Sequence, residues 1–288
     1  MSRGLSGGHL EEHGVTPDGQ LIEVPLHRHR VDLDLTRYEF SLSRTFDDTW
    51  DAAVRLPYFI KDQTASVEFP GPISDADRLA AIKNSYIHHR TGTYEGFSDA
   101  EITAGWRKHD VFGEGSILRI SLGVTVPVGS TEVNPWLLGD AGLVHNHIQF
   151  GNGTFDPLLD FYIGIPLGKQ WACSLYGKGR FPLYENIHGY QGSVEGTLIP
   201  RVTWLPSKKL SVSTGLSASY YGYSYWSGER DENSGQFTLN ATVSAGLKLS
   251  DKLTGSVGVL LPLYTKTWSG DDALEPAPVF TFSLARQF

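Results

Sequence analysis

Ten histidines stand at positions 9, 13, 27, 29, 88, 89, 109, 145, 147 and 188 of the 288-residue chain. Six of them form close-spaced pairs, His27-Arg-His29, His88-His89 and His145-Asn-His147. Imidazole is a common ligand for zinc and copper, so these pairs would suit metal capture if the segments carrying them converge. In an extended His-X-His segment both rings share one face, whereas adjacent histidines need not. The lone Cys173 joins none of the pairs. Spacing within one loop says nothing about convergence, and solvated or hydrogen-bonding loop histidines fit the pattern as well.

A second set of candidates is charged. Arg55, Arg107, Arg119, Lys178, Arg180, Arg201 and Lys248, against Asp51, Glu101, Asp156, Asp160 and Glu195, occupy the polar positions of segments that alternate apolar and polar residues. Seven cations against five anions nearly balance, so pairing across a narrow bore is expected. Such a network would either shape a selective pathway or plug it. Asp156 and Asp160 share a face four residues apart, about 13 Å along a strand. That is too far for a shared proton, and partners among Arg119, Lys178 and Arg180 are expected instead. Enzyme signatures are thin: there is no Gly-X-Ser-X-Gly, P-loop, Gly-X-Gly-X-X-Gly or zinc-ligand pattern, and no serine is marked as a nucleophile beside His145-Asn146-His147. No catalytic residue and no cofactor are expected.

The elements that position these residues follow from composition and period. The chain is 40% apolar and 19% charged, with 32 Gly, 14 Phe, 13 Tyr and 7 Trp. That aromatic load excludes disorder, and one cysteine excludes a disulfide scaffold. A net charge of −8 argues against nucleic-acid binding. The most apolar run, Val257–Tyr264, is far shorter than the roughly 20 residues of a spanning helix. From residue 31 onward the hydrophobic period is two. The clearest case is Phe237-Thr-Leu-Asn-Ala-Thr-Val-Ser-Ala-Gly-Leu-Lys-Leu249. Eleven strands are read near 31–44, 50–59, 101–108, 116–128, 153–167, 171–180, 193–205, 210–226, 235–249, 253–264 and 278–288. They are longer than soluble strands, and short turns alternate with long connections. Aromatics cluster at their ends (Trp50, Tyr58, Trp106, Trp171, Trp204, Tyr220, Trp226, Phe288).

This grammar predicts an all-β fold: a transmembrane antiparallel up-and-down β-barrel of about 12 strands. A lipocalin-type or sandwich core has the same alternation, but its solvated face carries more Lys and Glu and its strands are shorter. Parity requires an ascending strand before residue 31. Residues 1–13 read as a poor strand, so 1–30 is expected to hold a truncated or weak first strand and an extracellular loop, with the barrel over 31–288 and a natural start upstream of Met1. One helix is expected over 74–86 in the longest loop, N-capped by Ser74 or Asp75 with Leu79, Ile82 and Tyr86 along one face, as a lid, a plug or a surface helix.

Three stretches carry a resemblance. Phe280-Thr-Phe-Ser-Leu-Ala-Arg-Gln-Phe288 is similar to the C-terminal signature of bacterial outer-membrane proteins, with Arg286 where an aromatic is usual. Leu122-Gly-Val-Thr-Val-Pro-Val-Gly129 with Gly151-Asn-Gly-Thr-Phe-Asp-Pro-Leu159, and the strand Asp51–Tyr58, resemble the phenol meta-pathway degradation-type outer-membrane transporters. The resemblance implies a channel in the Gram-negative outer membrane for passive uptake or efflux of a small solute, hydrophobic or aromatic compounds among the candidates. Its lumen would be lined by Arg55, Arg107, Arg119, Asp156, Asp160, Lys178, Arg180 and Arg201. Expected partners are outer-membrane lipids, the solute and the barrel-assembly machinery through Phe288, and no nucleic acid. The alternatives are an outer-membrane metal-binding protein using His27, His29, His88, His89, His145 and His147, and an outer-membrane lipid hydrolase.

Overall fold

The structure, a computed structural model, describes residues 1–145, 148–268 and 275–288. In chain order its elements are β1 (Ser2–Val15), β2 (Leu21–Thr45), β3 (Trp50–Glu68), α1 (Asp75–His88), β4 (Gly92–Phe97), β5 (Ala100–His109), β6 (Ile117–Val126) and α2 (Pro135–Asp140). There follow β7 (Pro157–Leu167), β8 (Trp171–Arg180), β9 (Tyr190–Gln191), β10 (Glu195–Trp204), β11 (Leu210–Tyr221), β12 (Tyr225–Trp226), β13 (Glu229–Arg230), β14 (Gln236–Ser250), β15 (Leu253–Thr267) and β16 (Val279–Arg286). Neither helix is long and apolar enough to cross a membrane. All eleven expected strands are present. Residues 1–13, read as a poor strand from sequence, fall in β1, because the turn Thr16-Pro-Asp-Gly-Gln20 folds Ser2–Val15 onto β2 from Val15↔Leu21 to Ser2↔Leu35.

Antiparallel pairing runs β1-β2-β3-β5-β6-β7-β8-β10-β11-β14-β15-β16, the order of an up-and-down barrel. β4 continues the line of β5 along the edge of β3, against Tyr58–Gln63. β9, β12 and β13 form a small separate sheet. Trp226 lies buried in it, 4.7 Å from the Tyr190 ring, and so does not belong to an interfacial girdle. Trp50↔Trp106 and Trp171↔Trp204, paired at the short-turn end, do fit one.

The join between β1 and β16 is thin. It consists of Ser2↔Val279, the Met1–Phe280 backbone bonds and the bridge Ser6↔Glu275. Below it, residues 36–45 of β2 and 281–286 of β16 pair on one side only. In hydrocarbon, unpaired strand edges cost several kcal/mol per group, so both edges demand a partner there.

Polarity is inverted relative to a water-soluble β protein. Phe282 and Leu284 are 79% and 71% exposed, whereas Asp156 and Asp160 are 0% and 1% exposed. A sandwich or lipocalin core would show the opposite. On β2 and β3 the outward face also changes along the strand. Its lower part carries Tyr38, Phe40, Leu42 and Val54, all exposed. Above Thr36↔Ile60 the same face carries Asp34↔Asp62, Asp32↔Thr64, Arg30↔Ser66 and Arg28↔Glu68. The inward face there turns apolar, with Leu33, Val31 and Val67. The barrel wall therefore leaves the apolar solvent near Thr36 and continues as a water-exposed extension.

Helix α1 lies on the inner face of that extension. Ser74 caps it, its hydroxyl accepting from the Asp77 N–H at 3.1 Å, as expected. The Leu79, Ile82 and Tyr86 face is exposed, and the buried side is formed by Ala80 and Ala81, which pack with Val24, Ile22, Val67 and Phe69. Small side chains let the helix approach the sheet closely, which outweighs the larger apolar side chains on the other face.

Candidate functional site: a charged lumen and a histidine cluster at the mouth

The inward charges assemble into three tiers. At the short-turn end, register places Arg107 directly opposite Arg119, which alone would repel. Asp51 resolves this. Its Oδ2 accepts from Arg107 Nη2 and Arg119 Nε, both at 2.9 Å, and its Oδ1 from Arg119 Nη2 at 2.5 Å. Gly105 makes room for the fork: a Cβ there would sit 2.7 Å from both Asp51 Oδ1 and Arg119 Nη2. The middle tier is balanced. Arg55 bridges Glu101 at 3.2 Å and Asp160 at 3.3 Å, and Lys178 reaches Glu101 at 2.5 Å. In the upper tier Arg180 meets Asp156 at 2.6 Å, Asp99 at 3.2 Å and Glu195 at 4.0 Å.

Seven of the eight expected lumen residues thus join these ion-paired tiers. Arg201 is the exception. It faces inward on β10 near the lower tier but makes no ion pair among the described residues, because its register partners are Ser174 and Gly215. Lys248 pairs with Asp251 in the adjoining turn and lies outside the network. Asp160 partners Arg55 instead of Arg119, Lys178 or Arg180. Counting Arg201, the lower tier sets three cations against one carboxylate, the middle two against two, and the upper one against three.

Asp99 was invisible to sequence reasoning, yet it organises the upper tier. Its carboxylate accepts from the backbone N–H of Gly129, Asn152 and Gly153 and from Arg180. The Gly151-Asn-Gly-Thr-Phe-Asp segment completes the knot: Asn152 Nδ2 and Thr154 Oγ1 donate to Asp156 at 2.9 and 2.6 Å, and Arg180 Nε does so at 2.8 Å. A Cβ on Gly151 would lie 2.4 Å from Asp99 Oδ1, so only glycine lets the loop come this near. The signal was present in the paired glycines at 129 and 151, which mark close backbone approach. The opposite wall, β10 to β16, is lined by hydroxyls, with Thr203–Ser213 at 2.9 Å, Ser256–Ser283 at 3.0 Å and Thr197–Ser219 at 3.1 Å.

The histidines converge above the barrel. His9 and His29 are register partners on β1 and β2 with ring centroids 5.1 Å apart, and His89, just past α1, lies 5.2 Å from His9. His27 Nε2 is 3.1 Å from His29 Nε2, so the His-X-His rings do share a face. His88 and His145 form a neighbouring pair, Nδ1 to Nε2 at 3.1 Å. His147 lies outside the described residues. Both His29 and His88 belong to segments beyond the membrane-spanning part of the wall. Burial, reinforced by neighbouring imidazoles, pushes them down to about 3 and about 4, leaving the rings neutral. His9 was missed because residues 1–13 read as a poor strand. The turn signal Pro17-Asp18-Gly19 could have found it, since folding the chain there sets His9 against His29.

No protein-family profile matches the chain, and no curated protein matches it. Among solved structures, the chain is similar to the COG4313 outer membrane channel from Pseudomonas putida F1, with a TM-score of 0.54 and 14% sequence identity over 99% of this chain and 94% of that one. At that identity the likeness shows the fold alone, an antiparallel β-barrel.

Proposed function

We propose that the chain is a passive channel in the Gram-negative outer membrane, admitting or releasing a small solute. The observation that carries this reading is the inside-out polarity: aspartates are buried in the bore beside half-buried guanidiniums while large apolar side chains face outward on strand after strand. Ion pairs crowd the β3-to-β8 side of the bore, so the hydroxyl-lined side is the proposed path. The resemblance in Leu122–Gly129 and Gly151–Leu159 to phenol meta-pathway-type transporters favours hydrophobic or aromatic solutes. The excess of carboxylate at the outer end and of guanidinium at the inner end would orient a dipolar solute along the bore. Catalytic machinery has no part in this reading. Lipids contact the outward face, and the exposed terminal Phe288 is proposed to engage the barrel-assembly machinery.

Liposome swelling tests the proposal directly. Proteoliposomes containing the purified chain should swell in small aromatic solutes faster than protein-free liposomes. If no member of a panel of aromatic acids, phenols and small sugars permeates, the channel reading fails.

A further inference from the structure

We propose that His9, His29 and His89 form a binding site for one divalent transition-metal ion of the zinc–copper class at the mouth of the barrel. One nitrogen from each ring lies within 4.8 Å of the others. Imidazole nitrogens around a tetrahedral zinc, each 2.0–2.1 Å from the metal, are roughly 3.3 Å apart. The three rings therefore need to close by about 1.5 Å at most, which side-chain rotation supplies.

A second observation points to a ligand. His29 is fully buried, and its Nδ1 has no hydrogen-bond partner. The proton positions around it follow from its neighbours. His27 Nδ1 lies 3.0 Å from the Pro25 carbonyl, which only accepts, so His27 carries its proton on Nδ1 and offers a lone pair at Nε2. That lone pair, 3.1 Å away, takes the proton of His29 Nε2. His29 is thereby fixed as the Nε2–H tautomer with a bare lone pair on Nδ1. A ligating imidazole characteristically has this arrangement, its second nitrogen donating to a fixed acceptor.

The chemistry of the set selects the ion. Three imidazole nitrogens with no oxygen among them disfavour calcium and magnesium and suit zinc, copper or nickel. The Glu11 carboxylate acts on His29 electrostatically and would offset part of the added charge. His88 and His145 are not ligands in this scheme. Both nitrogens of His88 face partners, His145 and Asn84 Oδ1, and His145 Nδ1 donates to the Leu143 carbonyl. A bound ion would tie three separate elements, β1, β2 and the end of α1.

The test uses the full chain purified in detergent, stripped with a chelator and titrated calorimetrically with zinc chloride or copper sulfate. One ion per chain and a raised thermal midpoint are expected, with neither effect from magnesium or calcium chloride. His9→Gln and His89→Gln, both at partly exposed positions, should weaken binding at least tenfold. His27→Phe, which removes the tautomer lock together with the bond to the Pro25 carbonyl, should weaken it ten- to a hundredfold, and His145→Ala should leave it within twofold. Circular dichroism and heat-modifiable migration confirm that each variant is folded. The proposal is overturned if zinc and copper bind no more tightly than magnesium, or if folded His9→Gln and His89→Gln bind as the parent does. Neither readout depends on conductance, so the site and the channel reading can fail separately.

Discussion

Arg180→Met is the most informative perturbation of the bore. The guanidinium lies between Asp156, Asp99 and Glu195, and its side chain is 14% exposed against 0% for both aspartates. Removing one partner of a buried pair typically costs about 3–5 kcal/mol, because the remaining charge is left uncompensated. Two compensations lower that here. Asp99 keeps three backbone N–H donors, and Asp156 keeps Asn152 and Thr154. A loss of roughly 2–3 kcal/mol is therefore expected, on the order of 30- to 150-fold in the folding equilibrium. Urea unfolding from lipid vesicles, followed by tryptophan fluorescence, reads this as a lowered midpoint at unchanged slope. Adding Asp156→Asn should recover part of the loss, giving a coupling of about 1 kcal/mol or more in a double-mutant cycle. A loss under about 0.5 kcal/mol, the level of an ordinary surface substitution, would mean the upper tier is solvated and the three-tier account of the lumen is wrong.

The remaining predictions concern other levels of the molecule. Arg201→Glu removes the unpaired lower-tier cation, and at a distance near 7 Å in water-like dielectric this changes ion energies by about 1 kcal/mol. Planar-bilayer reversal potentials should then shift toward cations by roughly fivefold in permeability ratio, and an unchanged ratio refutes the inward placement of Arg201. Gly151→Ala forces a methyl against Asp99 Oδ1 and should cost about 1–3 kcal/mol while exposing the 129–152 loop to protease. Ala81→Glu should release α1, read as trypsin cleavage at Arg78 or Lys83, whereas Leu79→Gln should leave cleavage and stability unchanged because that face is already exposed. A ten-residue segment of alternating apolar and hydroxyl residues fused ahead of Met1 would pair the edges at 36–45 and 281–286. It should raise the thermal midpoint in detergent, and a lowered midpoint would show that those edges do not accept a strand.

What the sequence disclosed depended on whether period and composition were local. The long strands were legible because each writes its own alternation, as Phe237 to Leu249 does. The inward charges were legible for the same reason, since a residue's face follows from its parity. Their partners were not: Asp160 meets Arg55 across 105 positions of chain, and register between non-consecutive strands leaves no local trace. Asp99 was missed because it interrupts the line between β4 and β5 and belongs to neither alternation. His9 was missed through its segment. Ser2–Val15 is glycine- and charge-rich, a weak strand by propensity, and pairing with β2 overrides that. The helix was legible from its cap but its buried side was not, since Ala80 and Ala81 carry little hydrophobic signal and still pack against the sheet.

The polarity change at Thr36↔Ile60 bears on both proposals. A period of two runs through β2 from His27 to Thr45, yet its meaning reverses: Tyr38 and Phe40 face outward below, and Arg30 and Asp32 face outward above. Alternation records only that the two faces differ, and the outward residues reveal which solvent each part meets. His29 lies seven residues above Thr36, about 23 Å along the strand. The histidine cluster is therefore held by a wall standing in water, within reach of ions from the medium, while the charged tiers begin below it inside the apolar belt. A metal ion at the mouth would thus stiffen the extension and α1 without entering the ion-paired bore, so zinc should raise the thermal midpoint of Arg180→Met by as much as that of the parent. A zinc effect that vanishes in Arg180→Met would show that the two sites are coupled and that this separation is wrong.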